Sequence, residues 1–396
     1  MQYKVLKMDS KYTLLPRLTG GRATRVFAGL AFLGLLLSGC GKFFIPQIDT
    51  GGGGGGGGGG TTTASLYVAN ATATNPKIAG FSTPGSTLAF VNFYPVLDRP
   101  STLAITPGNR FLYAGGTTGL IFVYVINSDG SLTLGNNGAE VASGIVPAAM
   151  KVDATGNWLL AADSNSPAIV AFQIDPSTGG LTSAINSPIA LDTGRPSHIA
   201  MTPDNRTTYV SLATGGVDIL SFDPVSGALT RVGLLRPLSS LAADTGLAVN
   251  PAGTYLYVGE TGGNVLRVLK IGTNPALSEL PGSPYLVRLG PAAVLVDGTG
   301  TDVYVLNNSD KSISGFSVAA SGALTELAGS PYATGLNPID MVLDSSKGYL
   351  AVVCSGGSPD LQLFNFDATT PGKLTSVAMA TTGTDPTTPL AIVATH

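Results

Sequence analysis

The sequence predicts an all-β fold, a seven-bladed β-propeller with four antiparallel strands in each blade. Three observations support this prediction. A unit of about 47 residues recurs seven times, each unit holds short β-branched or aromatic runs bounded by turn residues, and the chain ends on a strand that the first unit lacks. Repeats of this length with four strands each are typical of propeller blades.

The clearest unit lies between Pro196 and Leu229. Strands are expected over His198 to Thr202, Thr208 to Leu212 and Val217 to Phe222, with a fourth beginning at Leu229. The segments between them are rich in Gly, Pro, Asn and Asp, which favour tight turns. This unit therefore reads as one complete blade.

The copies align on one position of the second strand. That position is occupied by Tyr67, Tyr113, Leu160, Tyr209, Tyr257, Tyr304 and Ala351, with spacings of 46, 47, 49, 48, 47 and 47 residues. Thirteen residues before each anchor, from the second onward, stand Pro100, Pro147, Pro196, Asp244, Pro291 and Pro338. Proline suits the first residue of a strand because it has no N–H to leave unpaired there.

Residues 1–39 have the pattern of a signal peptide. Six basic residues and one acid precede an apolar run from Val26 to Leu37, which is too short to span a bilayer comfortably. The run ends in Leu37-Ser38-Gly39-Cys40, which resembles a bacterial lipobox, so we expect cleavage before Cys40 and lipidation of its thiol. An uncleaved anchor helix is the alternative, and Met8 is a second possible start.

Residues 40–63 are expected to form a flexible tether between the lipid and the propeller, which would occupy residues 64–396. Ten consecutive glycines, Gly51 to Gly60, cannot hold a defined backbone. A phosphate-binding loop is disfavoured because no strand precedes the tract and no Lys-Ser/Thr pair closes it. Gly41 after the cysteine resembles the pattern of outer-membrane lipoproteins, so we predict an exported protein anchored to the outer membrane.

Charge and cysteine content exclude several classes of function. The residues after Cys40 carry 15 basic and 23 acidic groups, a net charge of −8, so nucleic acid is not an expected partner. Only Cys354 remains besides Cys40, which leaves no disulfide within one mature chain and fits a packed core thiol. A small molecule, a glycan or a protein remains open as the ligand, and we expect a monomer.

The strand count also predicts how the ring closes. The first copy begins at its second strand, Leu66 to Asn70, and therefore lacks an innermost strand. The last segment, Pro389 to His396, looks like an innermost strand with nothing after it. We predict that the C-terminal strand completes the first blade, which removes an open sheet edge.

A family resemblance rests on these repeats. The stretch from Pro196 to Val210, the Leu-Tyr-Val-Ala-Asn of Leu66 to Asn70 and the Gly-Ser-Pro-Tyr turns at Gly282 and Gly329 resemble the lactonase-type seven-bladed propellers. They also resemble the related YVTN-repeat propellers of surface proteins. The resemblance covers residues 65–396 and implies the propeller fold, with a lactone-opening activity in part of the family.

The register of the repeats predicts which side chains share one mouth of the central channel. Two residues after the proline position stand Thr102, Ala149, His198, Gly246, Ala293 and Asp340, and the second strands end on Asn70, Gly116, Asp163, Leu212, Glu260, Asn307 and Cys354. Arg99 and Arg195 directly precede their prolines. We therefore expect Arg99, Asp163, Asp340, Asn70 and Asn307 to line a ligand-binding mouth.

The resemblance also implies a catalytic set, which this chain matches in part. Lactonase-type enzymes carry Gly-Pro-Arg-His and then a glutamate at the strand end. Here His198 occupies the histidine position, Ser197 replaces the arginine and Ala213 replaces the glutamate. Arg195 and Glu260 are the candidate substitutes. An acid and an imidazole can handle protons, and arginine can stabilise an oxyanion.

Two functions remain open from the sequence. A membrane-tethered binding scaffold is favoured by the predicted anchor and the incomplete catalytic set, in which His198 would only line the channel. The alternative is a lactone hydrolase that uses His198, Arg195 and Glu260. No cofactor is expected, and one interior histidine excludes a histidine-based metal cluster, although an oxygen-ligated ion in the channel stays possible.

Overall fold

The computed structural model of the protein describes residues 65–72, 74–273, 276–383 and 389–396. These residues form 32 strands and one turn of 3-10 helix, Asn136–Gly138. The predicted signal peptide (1–39) and tether (40–63) lie outside the described residues. Within the described ranges, no helix has the length and apolar content needed to cross a bilayer.

The strands form seven antiparallel sheets, which are the blades. Blade 1 contains β1 (Ser65–Asn70), β2 (Lys77–Ser82), β3 (Ala89–Pro95) and β32 (Pro389–Ala394), and blade 2 contains β4 (Pro100–Ile105), β5 (Phe111–Gly116), β6 (Leu120–Ile126), β7 (Leu132–Leu134) and β8 (Ala142–Ser143). Blade 3 contains β9 (Pro147–Val152), β10 (Trp158–Asp163), β11 (Ala168–Ile174), β12 (Leu181–Ser183) and β13 (Ile189–Ala190), and blade 4 contains β14 (His198–Met201), β15 (Thr207–Ser211), β16 (Val217–Phe222) and β17 (Leu229–Leu235). Blade 5 contains β18 (Asp244–Val249), β19 (Tyr255–Glu260), β20 (Val265–Ile271), β21 (Leu277–Glu279) and β22 (Tyr285–Leu286). Blade 6 contains β23 (Pro291–Val296), β24 (Asp302–Asn307), β25 (Ser312–Val318), β26 (Leu324–Glu326) and β27 (Tyr332–Ala333), and blade 7 contains β28 (Pro338–Leu343), β29 (Tyr349–Cys354), β30 (Leu361–Phe366) and β31 (Leu374–Ala380).

The innermost strands form a closed ring around the channel. Each contacts the innermost strands of both neighbouring blades, in the order β32, β4, β9, β14, β18, β23, β28 and back to β32. β32 pairs antiparallel with β1, with Val393 opposite Tyr67. The predicted seven-bladed propeller, closed by the C-terminal strand in blade 1, is confirmed.

The fourth strand differs from the prediction in four blades. In blades 2, 3, 5 and 6 it is split into two short strands that both pair with the third strand. In three of these blades a Ser-Pro turn lies between the two short strands. There the serine Oγ accepts an N–H of the third strand that a continuous fourth strand would have bonded. The bonds run from Ala171 N to Ser187 Oγ (2.9 Å), from Val268 N to Ser283 Oγ (3.0 Å) and from Gly315 N to Ser330 Oγ (3.1 Å). The repeated Ser-Pro motif is therefore explained by backbone pairing.

The hydrophobic core lies between the blades, and three of the anchor tyrosines, Tyr67, Tyr113 and Tyr304, donate a hydrogen bond to the next blade. Tyr113 is fully buried and belongs to a cluster that joins blades 2 and 3. Its hydroxyl donates to the Gly179 carbonyl in blade 3 at 3.0 Å, and Tyr304 donates to Gly372 in blade 7 at 2.7 Å. Tyr209 is equally buried, but its hydroxyl has no partner among the described residues.

One carboxylate fastens the closing strand to blade 7. The Asp340 Oδ1 accepts the N–H of Met341 at 2.9 Å, and its Oδ2 accepts the N–H of Ile392 in β32 at 3.0 Å. Burial raises the pKa of Asp340 to about 6, and the two amides oppose this rise. Asp340 therefore lies in the channel wall, where it bridges the last blade and the first.

The tyrosine contacts predict a difference between two conservative substitutions. Tyr304→Phe removes a buried hydrogen bond and should lower the free energy of unfolding by about 1 kcal/mol. Tyr209→Phe removes an unpartnered hydroxyl and should change it by less than about 0.5 kcal/mol. Urea denaturation of the two variants and the wild type measures both values. Equal losses in the two variants would contradict the tyrosine contact to the next blade.

Asp340 predicts a pH dependence of stability. Its pKa of about 6 in the folded state exceeds the value of about 3.9 in the unfolded state. Protonation of Asp340 therefore stabilises the folded state, and this stabilisation is lost as pH rises from about 4 to about 6. Asp340→Asn cannot ionise, and its stability relative to wild type should therefore increase by about 2 kcal/mol between pH 4 and pH 7. Urea denaturation at both pH values measures this change.

The control for this prediction has the opposite sign. Hydrogen bonds from Thr369 and Thr370 lower the pKa of the half-buried Asp367 to about 2. The ionised Asp367 carboxylate therefore stabilises the folded state at pH values above its unfolded pKa, and this stabilisation is lost as pH falls. Asp367→Asn should therefore lose stability relative to wild type as pH rises. A stability difference for Asp340→Asn that does not change with pH would refute the account.

Candidate functional site

The upper mouth is defined here as the end of the channel where the innermost strands begin and the second strands end. The register places Asp163 opposite Pro147, Glu260 opposite Asp244 and His198 opposite Ser211. Antiparallel pairing requires that these positions meet at one end of the sheet. The candidate residues therefore lie around the same mouth. They differ in the groups that their side chains contact.

Small hydroxyl side chains join neighbouring blades around the upper mouth. Innermost strands such as β4 and β18 begin with a β-bulge. The residue after the proline position, Ser101 or Thr245, has no opposite residue in the second strand. Ser101 Oγ donates to the Pro147 carbonyl of the next blade at 2.9 Å, and Thr245 Oγ1 donates to Pro291 at 2.6 Å. Ser197 Oγ reaches the Thr245 carbonyl at 3.3 Å. Ser197, which stands where the resemblance implies arginine, thus links blades 4 and 5.

His198 is the first residue of β14 and is half-buried in the channel wall. Its backbone N–H donates to Ser211 Oγ at 3.0 Å, which fixes the start of the strand. The ring Nδ1 is buried and has no hydrogen-bond partner among the described residues. Burial lowers the pKa of His198, and the Thr245 carbonyl opposes this shift. The imidazole is therefore neutral at pH 7 and able to accept a proton.

The two arginines that precede prolines have different surroundings. Arg195 is exposed, and across the described residues it has neither a hydrogen bond nor an ion pair. Arg99 instead donates through Nε and Nη2 to the Ala71 carbonyl, at 3.1 and 3.0 Å. Arg195, three residues before His198, is thus the arginine with its donors available to a ligand.

The carboxylates expected at the mouth are held by backbone amides. Asp163 Oδ1 accepts the N–H groups of Val146 and Asn165, both at 3.0 Å. Glu260 is buried, and its Oε2 accepts the Leu238 N–H at 3.0 Å. Asp340 bridges to β32, as described above. These three side chains stabilise the loops and strands of the mouth through their bonds to backbone N–H groups.

Asp244, the residue that interrupts the proline pattern, forms a buried carboxyl pair with Glu260. The two residues are opposite each other in the register of β18 and β19. Asp244 is fully buried, and neither of its carboxyl oxygens meets a donor within the described part of the chain. Burial, and then Glu260, raises the pKa of Asp244 to about 8. At neutral pH the pair therefore holds one proton, which supplies the missing donor.

Arg267 supplies the positive charge beside this carboxyl pair. Its Nη1 lies 3.5 Å from Glu260 Oε2, and its Nη2 lies 2.8 Å from Glu279 Oε2. It also donates to the Arg236 carbonyl at 2.8 Å. The sequence interpretation missed Arg267, which lies on an outer strand, and it noted Asp244 only as a break in the proline series. The aspartate at a position where the other repeats have proline was the sequence feature that could have indicated the Asp244–Glu260 carboxyl pair.

The remaining predicted residues have structural contacts. Asn70 Nδ2 donates to the Thr382 carbonyl at 3.3 Å. The buried Asn307 amide is satisfied when its nitrogen faces the Arg288 carbonyl and its oxygen faces the Ser314 hydroxyl. Burial raises the pKa of the Cys354 thiol to about 11, so it stays protonated and packs in the core. In the described ranges, no group of three or more His, Cys, Asp or Glu side chains is arranged to hold a metal ion.

Comparisons with solved structures agree with this architecture. A candidate 6-phosphogluconolactonase of Bacteroides uniformis superposes with a TM-score of 0.70 at 16% identity, covering 84% of this chain and 100% of that one. The periplasmic gluconolactonase of Pseudomonas aeruginosa gives 0.69 at 15% identity over 84% and 99%. A Lactobacillus plantarum protein gives 0.68 at 20% identity over 85% and 100%. At these identities the similarity shows the fold.

Sequence comparison supplies the family. Among curated protein sequences, none matches this chain. The profile of the family described as lactonase, 7-bladed beta-propeller matches residues 81–192 and 276–390, together more than half of the chain. The matched segments include the inner strands of blades 2, 3, 6 and 7. The chain belongs to the seven-bladed β-propeller lactonase family.

Proposed function

We propose that the protein is a lactone hydrolase with its active site at the upper mouth. The observation that carries the proposal is the His198 imidazole at the upper mouth, neutral and with an Nδ1 that has no hydrogen-bond partner among the described residues. Its correspondence to the histidine of the family rests on the sequence resemblance, since the matched segments 81–192 and 276–390 do not include it. The exposed guanidinium of Arg195 lies at the same strand start. A proton acceptor and a cation that no other side chain engages are the two groups that ester hydrolysis needs.

The proposed reaction opens the lactone by attack of water. His198 accepts a proton from the water as its oxygen bonds to the carbonyl carbon, which gives a tetrahedral oxyanion. Arg195 stabilises the developing negative charge or holds an anionic group of the substrate. The ring C–O bond then breaks, and the proton on His198 passes to the leaving alkoxide, so that the product is a hydroxy acid.

The carboxylates have an indirect part in this proposal. Asp163, Glu260 and Asp340 bond backbone amides and are positioning residues. The protonated Asp244–Glu260 pair lies beside Thr245, whose carbonyl faces the His198 ring. Arg267 faces both this pair and Glu279, so its positive charge is already balanced by carboxylates. His198 stays in its base form at neutral pH because burial lowers its pKa.

The solved relatives support a sugar lactone as the substrate class. The Bacteroides and Pseudomonas proteins are named for lactonases that act on gluconate-type lactones. The Pseudomonas protein is described as periplasmic. That location supports an exported lactonase, which the sequence alone made the less favoured of two functions.

Hydrolysis of a panel of sugar lactones by the full chain tests the proposal. We expect His198→Ala and His198→Gln to lower kcat/KM on the order of 10²-fold, because both remove the proton acceptor. Arg206→Ala, an exposed side chain away from the upper mouth, is the matched control and should keep full activity. Full activity in both His198 variants would exclude the proposed base.

The direction of the His198 pKa shift predicts the pH profile. Burial lowers this pKa below its ordinary value of about 6.5, so the imidazole stays deprotonated to lower pH than a free histidine. The acidic limb of the kcat/KM profile should therefore lie below about pH 6.5. Rates measured between pH 4.5 and pH 8 locate the limb. A limb above pH 7 would assign the essential base to another group.

We also propose that the enzyme is exported and lipid-anchored at Cys40. Support comes from the basic and apolar order of residues 1–39, the lipobox-like Leu37-Ser38-Gly39-Cys40 and the glycine tract that follows. We expect Cys40→Ser to move the protein from the membrane to the soluble fraction, with Cys354→Ser as the control that stays membrane-bound. Soluble wild-type protein would contradict the anchor.

A binding role is the second candidate. It is favoured by the carboxylates of the mouth, which are held by amides and leave His198 and Arg195 without an acid partner that can reach a substrate. In that case the mouth would hold a small molecule, a glycan or a protein. Absence of turnover on every lactone, together with saturable binding of one of them, would favour this role over hydrolysis.

A further inference from the structure

The lower mouth, at the other end of the channel, contains a cavity of about 540 Å³. It lies where innermost strands turn into second strands, against blades 1, 2, 3, 4 and 7. Its walls are mostly apolar, with Ile105, Val152, Met201 and Val342 among them. A cavity of this volume is in the range of small-molecule sites, which combine apolar walls with a few polar groups.

Lys151 is the charged group of this cavity that lacks a partner. It lies in β9, lines the cavity, and forms no hydrogen bond or ion pair with any described residue. Its side chain is exposed to the open cavity, and the protein packed around it lowers the pKa of the ammonium. Because an unpaired ammonium beside apolar walls attracts an anion, the cavity favours a negatively charged ligand.

The other polar groups of the cavity do not neutralise Lys151. Asp153 also lines it, but its carboxylate accepts the N–H groups of Trp158 and Thr155 and the amide of Asn205. Burial and then Lys151 lower the pKa of His396, so its imidazole is neutral at pH 7. Lys347 adds a second positive charge near His396, but among the described residues that line the cavity Lys151 is the one lysine or arginine, and it lies beside apolar side chains.

We propose that the lower mouth binds an amphiphilic anion, with one carboxylate or sulfonate against Lys151 and an apolar body against Ile105, Met201 and Val342. A single unpaired cation fits one anionic group and does not fit a polyanion. The apolar walls distinguish this ligand from a sugar lactone, whose hydroxyls would remain unpaired there. The site lies at the opposite end of the channel from His198 and is independent of lactone hydrolysis.

A pair of fluorescent probes tests the proposal on the full chain. Anilinonaphthalene sulfonate is an amphiphilic anion, and phenylnaphthylamine has the same ring system without the sulfonate. Cys40→Ser is included in every sample so that no attached lipid competes for either probe. Titrations compare the chain with Lys151 intact, Lys151→Met and Lys151→Arg. Lys270→Met removes an exposed lysine outside the channel and is the matched control.

We expect the sulfonate probe to bind with one site per chain and to lose about tenfold in affinity in Lys151→Met. Lys151→Arg and Lys270→Met should keep that affinity, and phenylnaphthylamine should bind all four proteins equally. Thermal melting of Lys151→Met, expected to match wild type, shows that the variant is folded. Unchanged sulfonate affinity in Lys151→Met, an equal loss for both probes, or no binding to the intact chain would each overturn the proposal.

Discussion

The pairing of β32 with β1 is the contact on which the rest of the propeller depends. Each blade touches only its two neighbours, so an open array would expose the apolar inner faces of its first and last blades. β32 supplies the innermost strand of blade 1, and Asp340 ties that strand to blade 7. Closure therefore adds a seventh blade-to-blade contact to the six of an open array and leaves no terminal blade.

The closed ring also determines the electrostatics of the channel. Groups in its wall lose water on several sides, and desolvation is the largest cause of the shifts at His198, Asp244, Asp340 and Lys151. The carboxyl pKa values rise, and those of the imidazole and the ammonium fall, as expected when burial disfavours the charged form. At neutral pH the His198 imidazole in the wall is therefore in its neutral form.

The sequence predicted the features that repeat in every blade and missed those that depend on one contact. The strand Val217–Phe222 was predicted because hydrophobic pattern and turn residues determine it locally, and the closing strand was predicted because the first repeat lacks an innermost strand. The split fourth strands were not, because they depend on Ser187, Ser283 and Ser330 replacing a missing backbone partner. The period of the repeat indicates which positions pack in each blade. It carries no information about a side chain that takes the place of a backbone hydrogen-bond partner.

The prediction of the candidate site from the sequence had the same limit. Register placed His198, Glu260 and Asp340 at one mouth, but it could not show that the carboxylates turn toward backbone amides. The Asp244–Glu260 pair was accessible to reasoning from register, since both positions were already aligned, whereas Arg267 lies on an outer strand whose side-chain direction the repeat does not specify.

What distinguishes a functional group from a structural one in this ring is therefore whether the fold already satisfies it. Most polar side chains of the upper mouth bond the next strand, loop or blade, because a ring of separate sheets needs those bonds to hold its inner strands together. His198 Nδ1 and the Arg195 guanidinium are not used in this way by the described residues. Since burial without a partner costs free energy, the unpaired imidazole nitrogen is one of the few buried polar atoms that the described part of the fold leaves unsatisfied.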